Sequence, residues 1–205
     1  MRALLSLSAL VAFLFASALN LEAGDKASVG QAAPDFTLED SEGTRHSLSD
    51  YEGKYLVLEW VNFDCPFVRK HYDSGNMQTL QKTYAEEGVV WLSVCSSAPG
   101  KQGYFEGEEL EGRIAEEGSA PTAYLVDPEG TVGQTYGAKT TPHIFIIDPD
   151  GTLIYAGGID DTRSTDTDDI AKATNYVRTT LDAAMAGEQV PVKTSRPYGC
   201  SVKYK

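Results

Sequence analysis

Cys65 is followed at once by Pro66, and Arg69, Lys70 and His71 come within the next two helical turns. Proline is favoured at the first position of a helix, where its missing N–H is not needed and its φ is already helical. The pair therefore sets Cys65 at a helix N-terminus, where unpaired N–H groups and the helix dipole stabilise a thiolate. Arg69, four residues on, shares the cysteine's face and makes the local field more positive. A cysteine in that setting is expected to act as a nucleophile near neutral pH. The competing reading is a buried structural thiol, since unpaired cysteine is among the most buried residue types.

Two other cysteines bear on the chemistry. Cys95 ends the apolar run Val89 to Cys95 and is expected to pack in the core. Cys200 lies in a proline-punctuated tail beside Gly199, which relieves steric limits on a close approach. Three cysteines leave one pair and one over. Cys200 reads as a resolving thiol for Cys65 or, equally, as half of a static disulfide that ties the tail down.

These residues need elements to position them. Tyr55 to Asn62 is short, β-branched and aromatic, and it ends just before Cys65, so it reads as a buried strand opening into the Cys-Pro helix. The C-terminal end of such a strand is where open α/β sheets place their sites. The helix is expected to run from Pro66 to Gly88 with Phe67, Met77, Leu80 and Tyr84 inward, and Val89 to Cys95 follows as a second strand. Strand, helix and strand in this length make a βαβ unit with parallel pairing. A glycine-rich loop, a short acidic helix over 108–117 and a third strand over 122–127 come next. A helical piece over 132–138 leads to Thr140-Thr141-Pro142 and then to a hairpin, 143–148 and 152–156, around Pro149-Asp150-Gly151. The last helix is expected from Asp169 to Met185, with Ile170, Ala173, Tyr176, Val177 and Leu181 inward. Near the start, residues 33–38 and 44–48 flank the turn Asp40-Ser41-Glu42-Gly43 and read as a further hairpin.

Met1-Arg2, the apolar stretch Ala3 to Ala18 and the small residues Ala16-Ser17-Ala18 have the three regions of a secretory signal peptide, with cleavage expected at Ala18 or Ala23. The stretch is shorter than the roughly 20 residues of a spanning helix. This divides the chain into a signal over 1–23, a linker over 24–32, one domain over 33–187 and a tail over 188–205. The expected place of action is the periplasm or the exterior. A net charge of −13 and a pI of about 4.6 argue against nucleic acid or an anionic membrane as a partner, because both need a cationic face.

The order strand, Cys-Pro helix, strand, helix, strand, Thr-Thr-Pro, hairpin and final helix resembles the thioredoxin-like fold over roughly residues 31–187. The expected class is α/β, a central mixed sheet flanked by helices with an N-terminal β-hairpin extension. Ala33-Pro34-Asp35-Phe36-Thr37-Leu38, Tyr136-Gly137-Ala138 with Thr141-Pro142-His143, and Gly199-Cys200-Ser201-Val202-Lys203-Tyr204 are similar to the exported redoxin branch, the alkyl hydroperoxide reductase/thiol-specific antioxidant group. The resemblance implies that Cys65 is the nucleophile and Pro142 a cis-proline lying against it, with Thr141 pairing its backbone with an extended substrate and Pro66 beside them. It further implies that Glu59, six residues before Cys65, is a buried acid that moves protons.

The chain departs from both parent patterns. Val68 stands where a thioredoxin has its second cysteine, and Leu58 and Asn62 stand where a peroxiredoxin has a proline and a threonine or serine. The expected activity is therefore a thiol-disulfide oxidoreductase with a single nucleophilic cysteine, Cys65, resolved by Cys200, acting on protein thiols and disulfides with an external thiol reductant and no cofactor. Reduction of hydroperoxides by the same thiolate is the enzymatic alternative. A soft-metal carrier using Cys65, Cys200 and His71 or His143, or a non-catalytic binding module, is the other.

Overall fold

The computed structural model describes residues 26–205, and the signal sequence expected over 1–23 lies outside the described residues. The apolar runs read from the sequence become strands of one sheet: β3 (Leu56–Trp60), β4 (Val90–Cys95), β5 (Ala123–Val126), β7 (His143–Ile147) and β8 (Leu153–Gly157). β3, β4 and β7 are buried along their whole length, so they read as continuous apolar runs rather than alternations. β1 (Thr37–Asp40) and β2 (Arg45–Ser47) form the expected N-terminal hairpin, and β1 pairs antiparallel with β5 to extend the sheet. The order is β2-β1-β5-β4-β3-β7-β8, with β3, β4 and β5 mutually parallel. This is the mixed sheet of the thioredoxin-like fold.

Helices cover both faces. On one face α1 (Pro66–Asp73), α2 (Asn76–Glu86) and α5 (Tyr176–Met185) bring Val68, Tyr72, Met77, Leu80, Val177 and Leu181 onto Val57, Trp91, Ile144 and Tyr155. α3 (Gly107–Glu116) adds Leu110 to the same cluster. On the other face α4 (Thr131–Tyr136) lays Tyr136 against Trp60 and Phe145, with ring centroids 5.6 and 5.5 Å away. The two apolar layers follow from the pleat, because alternate residues of β3 point to opposite faces.

The structure corrects three expectations. The helix expected from Pro66 to Gly88 is two, broken at Ser74-Gly75, where Gly75 takes a left-handed φ of 71° that stops α1 and opens α2. The last helix begins at Tyr176 rather than Asp169. Asn175 caps it, accepting the Arg178 N–H at 3.0 Å, while Thr167–Asp169 form a separate 3₁₀ turn capped by Asp166 and leave Ile170 and Ala173 only half-buried. The described part of the linker expected over 24–32 is laid on the domain: Ala27 N–H donates to Thr135 C=O at 3.0 Å, and Gly30 and Gln31 bond to Leu153.

The short two-stranded sheet of β6 (Thr140–Thr141) and β9 (Cys200–Ser201) carries the site. β6 ends in the Thr141-Pro142 peptide, which is cis. Just beyond, His143 is buried, accepts the Lys139 N–H at 3.2 Å through Nδ1 and lies 4.4 Å from Phe145 between ring centroids.

Burial first, then the nearby Lys139 charge, lowers the His143 pKa from 6.5 to about 3, and burial beside Lys70 does the same to His71. Below pH 6.5 the unfolded chain takes up these protons before the folded chain does. Their contribution to stability is thus complete above pH 6.5 and is lost as pH falls towards 3. The unfolding midpoint should drop on acidification, at most about 1.4 kcal/mol per pH unit for each histidine. His143→Asn, which keeps an acceptor for Lys139 but cannot ionise, should give a shallower decline; parallel curves for variant and wild type would refute the assignment.

Candidate active site

Three segments converge on one sulfur. Cys65 is the N-cap of α1, Pro66 is its first residue and exposed, and the cysteine carbonyl accepts the N–H groups of Val68 and Arg69, each at 2.9 Å. This is the helix-start geometry that the Cys-Pro pair dictates. Cys65 Sγ donates to the Thr141 carbonyl at 3.1 Å and accepts the Cys200 backbone N–H at 3.3 Å. Cys65 is wholly buried, and all three cysteines carry free thiols.

Thr141 faces Cys200 directly in the β6–β9 ladder, Thr140 faces Ser201, and Val202 N–H donates to Lys139 C=O at 3.2 Å. The tail thus docks beside the cysteine in the reduced state. Burial, and then the Cys65 thiol against it, push the Cys200 thiol up to about 11. Cys200 is therefore held as a thiol near neutral pH. Thr141 Oγ1 is buried with no hydrogen-bond partner among the described residues, and Pro142 is buried beside it.

Arg69 does not join this cluster. Its guanidinium is largely exposed and pairs with Asp73 at 3.6 Å, four residues along the same helix. The cations that are buried near α1 are also spoken for: Lys70 Nζ donates to Asp160 at 3.3 Å and to the Thr162 carbonyl at 2.9 Å. The positive field expected from Arg69, Lys70 and His71 is thereby largely compensated, because residues distant in sequence supply the acids.

Glu59 is fully buried. It points to the same face of β3 as Val57 and Val61, towards the layer that contains Cys65. Its Oε2 accepts from Trp91 Nε1 at 2.9 Å, Ser93 Oγ at 3.2 Å and Gln81 Nε2 at 3.2 Å, while Oε1 meets Tyr72 OH at 3.1 Å. Burial raises its pKa and these donors oppose the rise. Tyr72 OH also reaches Oε2 at 3.4 Å and lies 3.3 Å from Ser119 Oγ, so uncharged donors surround both carboxylate oxygens.

Asn62, at the place of the peroxiredoxin threonine, accepts the Asp64 N–H at 2.9 Å and donates to the Gln102 carbonyl at 3.3 Å; the two polar partners of the Cys65 sulfur are Thr141 and Cys200 instead. Cys95 is buried and donates to the Gly103 carbonyl at 3.2 Å, a packing role. Among the described residues no three His, Cys, Asp or Glu side chains are placed to hold a metal ion. The ring nitrogens of His71 face Tyr198 and Asn76.

Sequence reasoning missed one participant, Tyr198. Its hydroxyl donates to Asp160, His71 Nε2 lies 3.2 Å away, Lys70 Nζ sits 5.8 Å from the ring centroid and Phe67 packs edge-on at 5.8 Å. The available signal was Tyr198-Gly199-Cys200, an aromatic and a glycine directly before a cysteine.

Glu59→Gln keeps an acceptor for Trp91, Ser93 and Gln81 and turns a donor to Tyr72, so it should fold with a stability within about 1 kcal/mol of wild type. Glu59→Leu strands those donors and should cost several times more, about 1–3 kcal/mol for each orphaned group. Equal denaturation midpoints for the two variants would show that the network does not hold the acid.

The polypeptide matches known proteins over most of the domain. It is 32% identical over 121 residues to the thiol-disulfide oxidoreductase ResA of Geobacillus kaustophilus, covering 52% of this chain and 68% of that protein. To the peroxiredoxin Bcp of Bacillus subtilis it is 28% identical over 117 residues, covering 53% and 62%. The chain spans between 40% and 68% of the length of the curated relatives it matches. A crystal structure of an uncharacterized conserved protein from Geobacillus kaustophilus superposes with a TM-score of 0.75 over 89% of this chain and 95% of that one, at 27% identity. The thioredoxin domain of a thiol-disulfide oxidoreductase from Bacteroides vulgatus shares the fold, with a TM-score of 0.52 over 72% and 97% at 21% identity. The AhpC/TSA family model matches residues 29–156, and the chain belongs to that family.

Proposed function

We propose that the protein is an exported thiol-disulfide oxidoreductase in which Cys65 attacks and Cys200 resolves. The observation that carries this reading is the Cys200 N–H lying 3.3 Å from the Cys65 sulfur, with Cys200 held opposite Thr141 in the ladder. Two cysteines 135 positions apart meet where the start of α1 abuts the β6–β9 strand pair.

The Cys65 thiolate attacks one sulfur of a substrate disulfide. That S–S bond breaks, the leaving sulfur departs as a thiolate and takes a proton, and Cys65 is left in a mixed disulfide. The helix N-terminus favours the attacking anion. The Cys200 thiolate then attacks the Cys65 sulfur, releasing the second substrate sulfur, which is protonated in turn. The substrate disulfide has gained two electrons and two protons, and the protein holds a Cys65–Cys200 disulfide that an external thiol reductant reopens. Glu59 and Tyr72 serve as the proton store of the buried layer, and Thr141 with Pro142 and Pro66 form the edge against which the substrate lies.

Hydroperoxide reduction by the same sulfur is the second reading, favoured by the likeness to a peroxiredoxin. There the Cys65 thiolate attacks the peroxide oxygen and becomes a sulfenic acid, an alcohol or water leaves, and Cys200 condenses with the sulfenic acid to the same disulfide, releasing water.

The test is single-turnover reaction of the reduced protein with a disulfide-bonded peptide and, separately, with hydrogen peroxide. Wild type should consume the peptide disulfide and yield the Cys65–Cys200 bond by peptide mapping. Cys65→Ser should be inert, and Cys200→Ser should accumulate the mixed disulfide at Cys65. Turnover of Cys200→Ser at the wild-type rate, or a Cys95–Cys200 bond in wild type, would overturn the scheme. A rate with peroxide orders of magnitude above that of a free thiol would select the second reading. For export, the N-terminus of protein taken from its native host should begin after Ala18 or Ala23; an intact Met1 would refute it.

A further inference from the structure

We propose that the edge of β6 is a docking site for an extended peptide of the form aromatic–glycine–cysteine, that the chain's own tail fills it in the reduced state, and that a protein substrate enters only by displacing that tail. This rests on the reading above, in which the Thr141 edge takes the substrate, and adds that the tail occupies that edge and that its aromatic–glycine–cysteine form decides what can replace it.

The tail is bound as a ligand would be. Its backbone adds to β6 in register and closes a third bond at Lys139, which is strand addition to an exposed edge. Tyr198 fills a socket formed by Phe67, Lys70, His71 and Asp160 and is 5% exposed. Beyond the cysteine, Tyr204 makes a second anchor: its hydroxyl donates to the Ala138 carbonyl at 2.8 Å, and its ring lies where any Cβ on Gly130 or Gly133 would stand. Lys203 C=O accepts the Ala98 N–H at 2.9 Å. Two aromatic anchors flanking a backbone ladder are the anatomy of a peptide site, with pockets supplying selectivity and main chain supplying affinity.

Glycine is required at one place. Gly199 has φ 137°, and a Cβ built there would overlap the Thr141 carbonyl oxygen and carbon. Those atoms are backbone and accept the Cys65 thiol, so they cannot move aside without losing the hydrogen bond at the reacting sulfur. A peptide that places its cysteine where Cys200 sits must therefore carry glycine immediately before it. The aromatic one step earlier must reach the buried Lys70–Asp160 pair, which is left uncapped when the tail departs. Because tail and substrate would use the same edge, they exclude one another, and redocking of the tail expels the product strand.

The experiment reads access to Cys65 in the full chain by carboxymethylation with iodoacetamide and peptide mapping, and it uses no disulfide substrate. Gly199→Ala should undock the tail and raise the Cys65 rate about tenfold or more, the effect that one disallowed backbone position supplies. A synthetic peptide of residues 195–205, with serine in place of its cysteine, should restore protection in that variant. The same peptide with alanine in place of its glycine should not. Tyr198→Ala, which leaves the Gly199 backbone untouched, should be protected by the glycine peptide in the same way and serves if the first variant fails to unfold cooperatively. Equal Cys65 rates in wild type and both variants, or equal protection by the two peptides, would overturn the docking site. A protein that shows the protection pattern but does not turn over a disulfide would overturn only the enzymatic reading.

Discussion

The position of one sulfur atom governs the rest of this structure. Cys65 Sγ is held between the Thr141 carbonyl and the Cys200 N–H, so the end of β3, the β6 edge and the C-terminal tail must all meet within hydrogen-bond distance. α1 fixes the cysteine because its first turn has no freedom after Pro66. β7, paired to β3 along its length, fixes the residues that precede it, including Thr141. The tail is the mobile member only in the sense that short strands and side-chain anchors, rather than a packed helix, hold it.

Around that sulfur the protein buries charge in two different ways. Glu59 is surrounded by four uncharged donors and its pKa is raised, so burial favours the protonated acid and the surrounding hydroxyl and indole groups stay satisfied. Lys70 instead keeps a counter-ion, Asp160, with Tyr198 over the pair. A buried ion pair gains little net stability against an apolar replacement, but losing one partner is costly. The arrangement therefore makes tail docking and the integrity of the α1 surroundings interdependent. It also explains why a helix that reads as strongly basic in sequence offers the Cys65 sulfur so little free positive charge.

Much of the fold was legible because it rests on local rules. Continuous apolar runs bounded by turn residues marked β3, β4 and β7. In the β7–β8 turn Asp148 Oδ1 accepts the N–H groups of both Asp150 and Thr152, the bonds that its Asp-Pro-Asp-Gly composition invites. The errors fell where a local signal had two readings. Gly75 inside an apolar periodicity looks like a tolerated glycine until its φ is known, and the acidic stretch before Asn175 is compatible with helix but is held as a 3₁₀ turn by Asp166 and Ser164 contacts.

For the site, the sequence alone determined the candidate residues and which element carries them: Cys65 before Pro66 at the end of a buried strand, Glu59 along that strand, and a lone late Cys200 beside a glycine. These follow from covalent and steric preferences that act within a few residues. Only the tertiary structure decided the partners. That Arg69 faces Asp73, that Lys70 is neutralised by a residue 90 positions away and that Tyr198 locks the tail beside Cys65 depend on how separate elements pack. Long-range contacts carry no local sequence signature, because chain-closure entropy grows only slowly with separation and so leaves almost any pairing open until packing selects one.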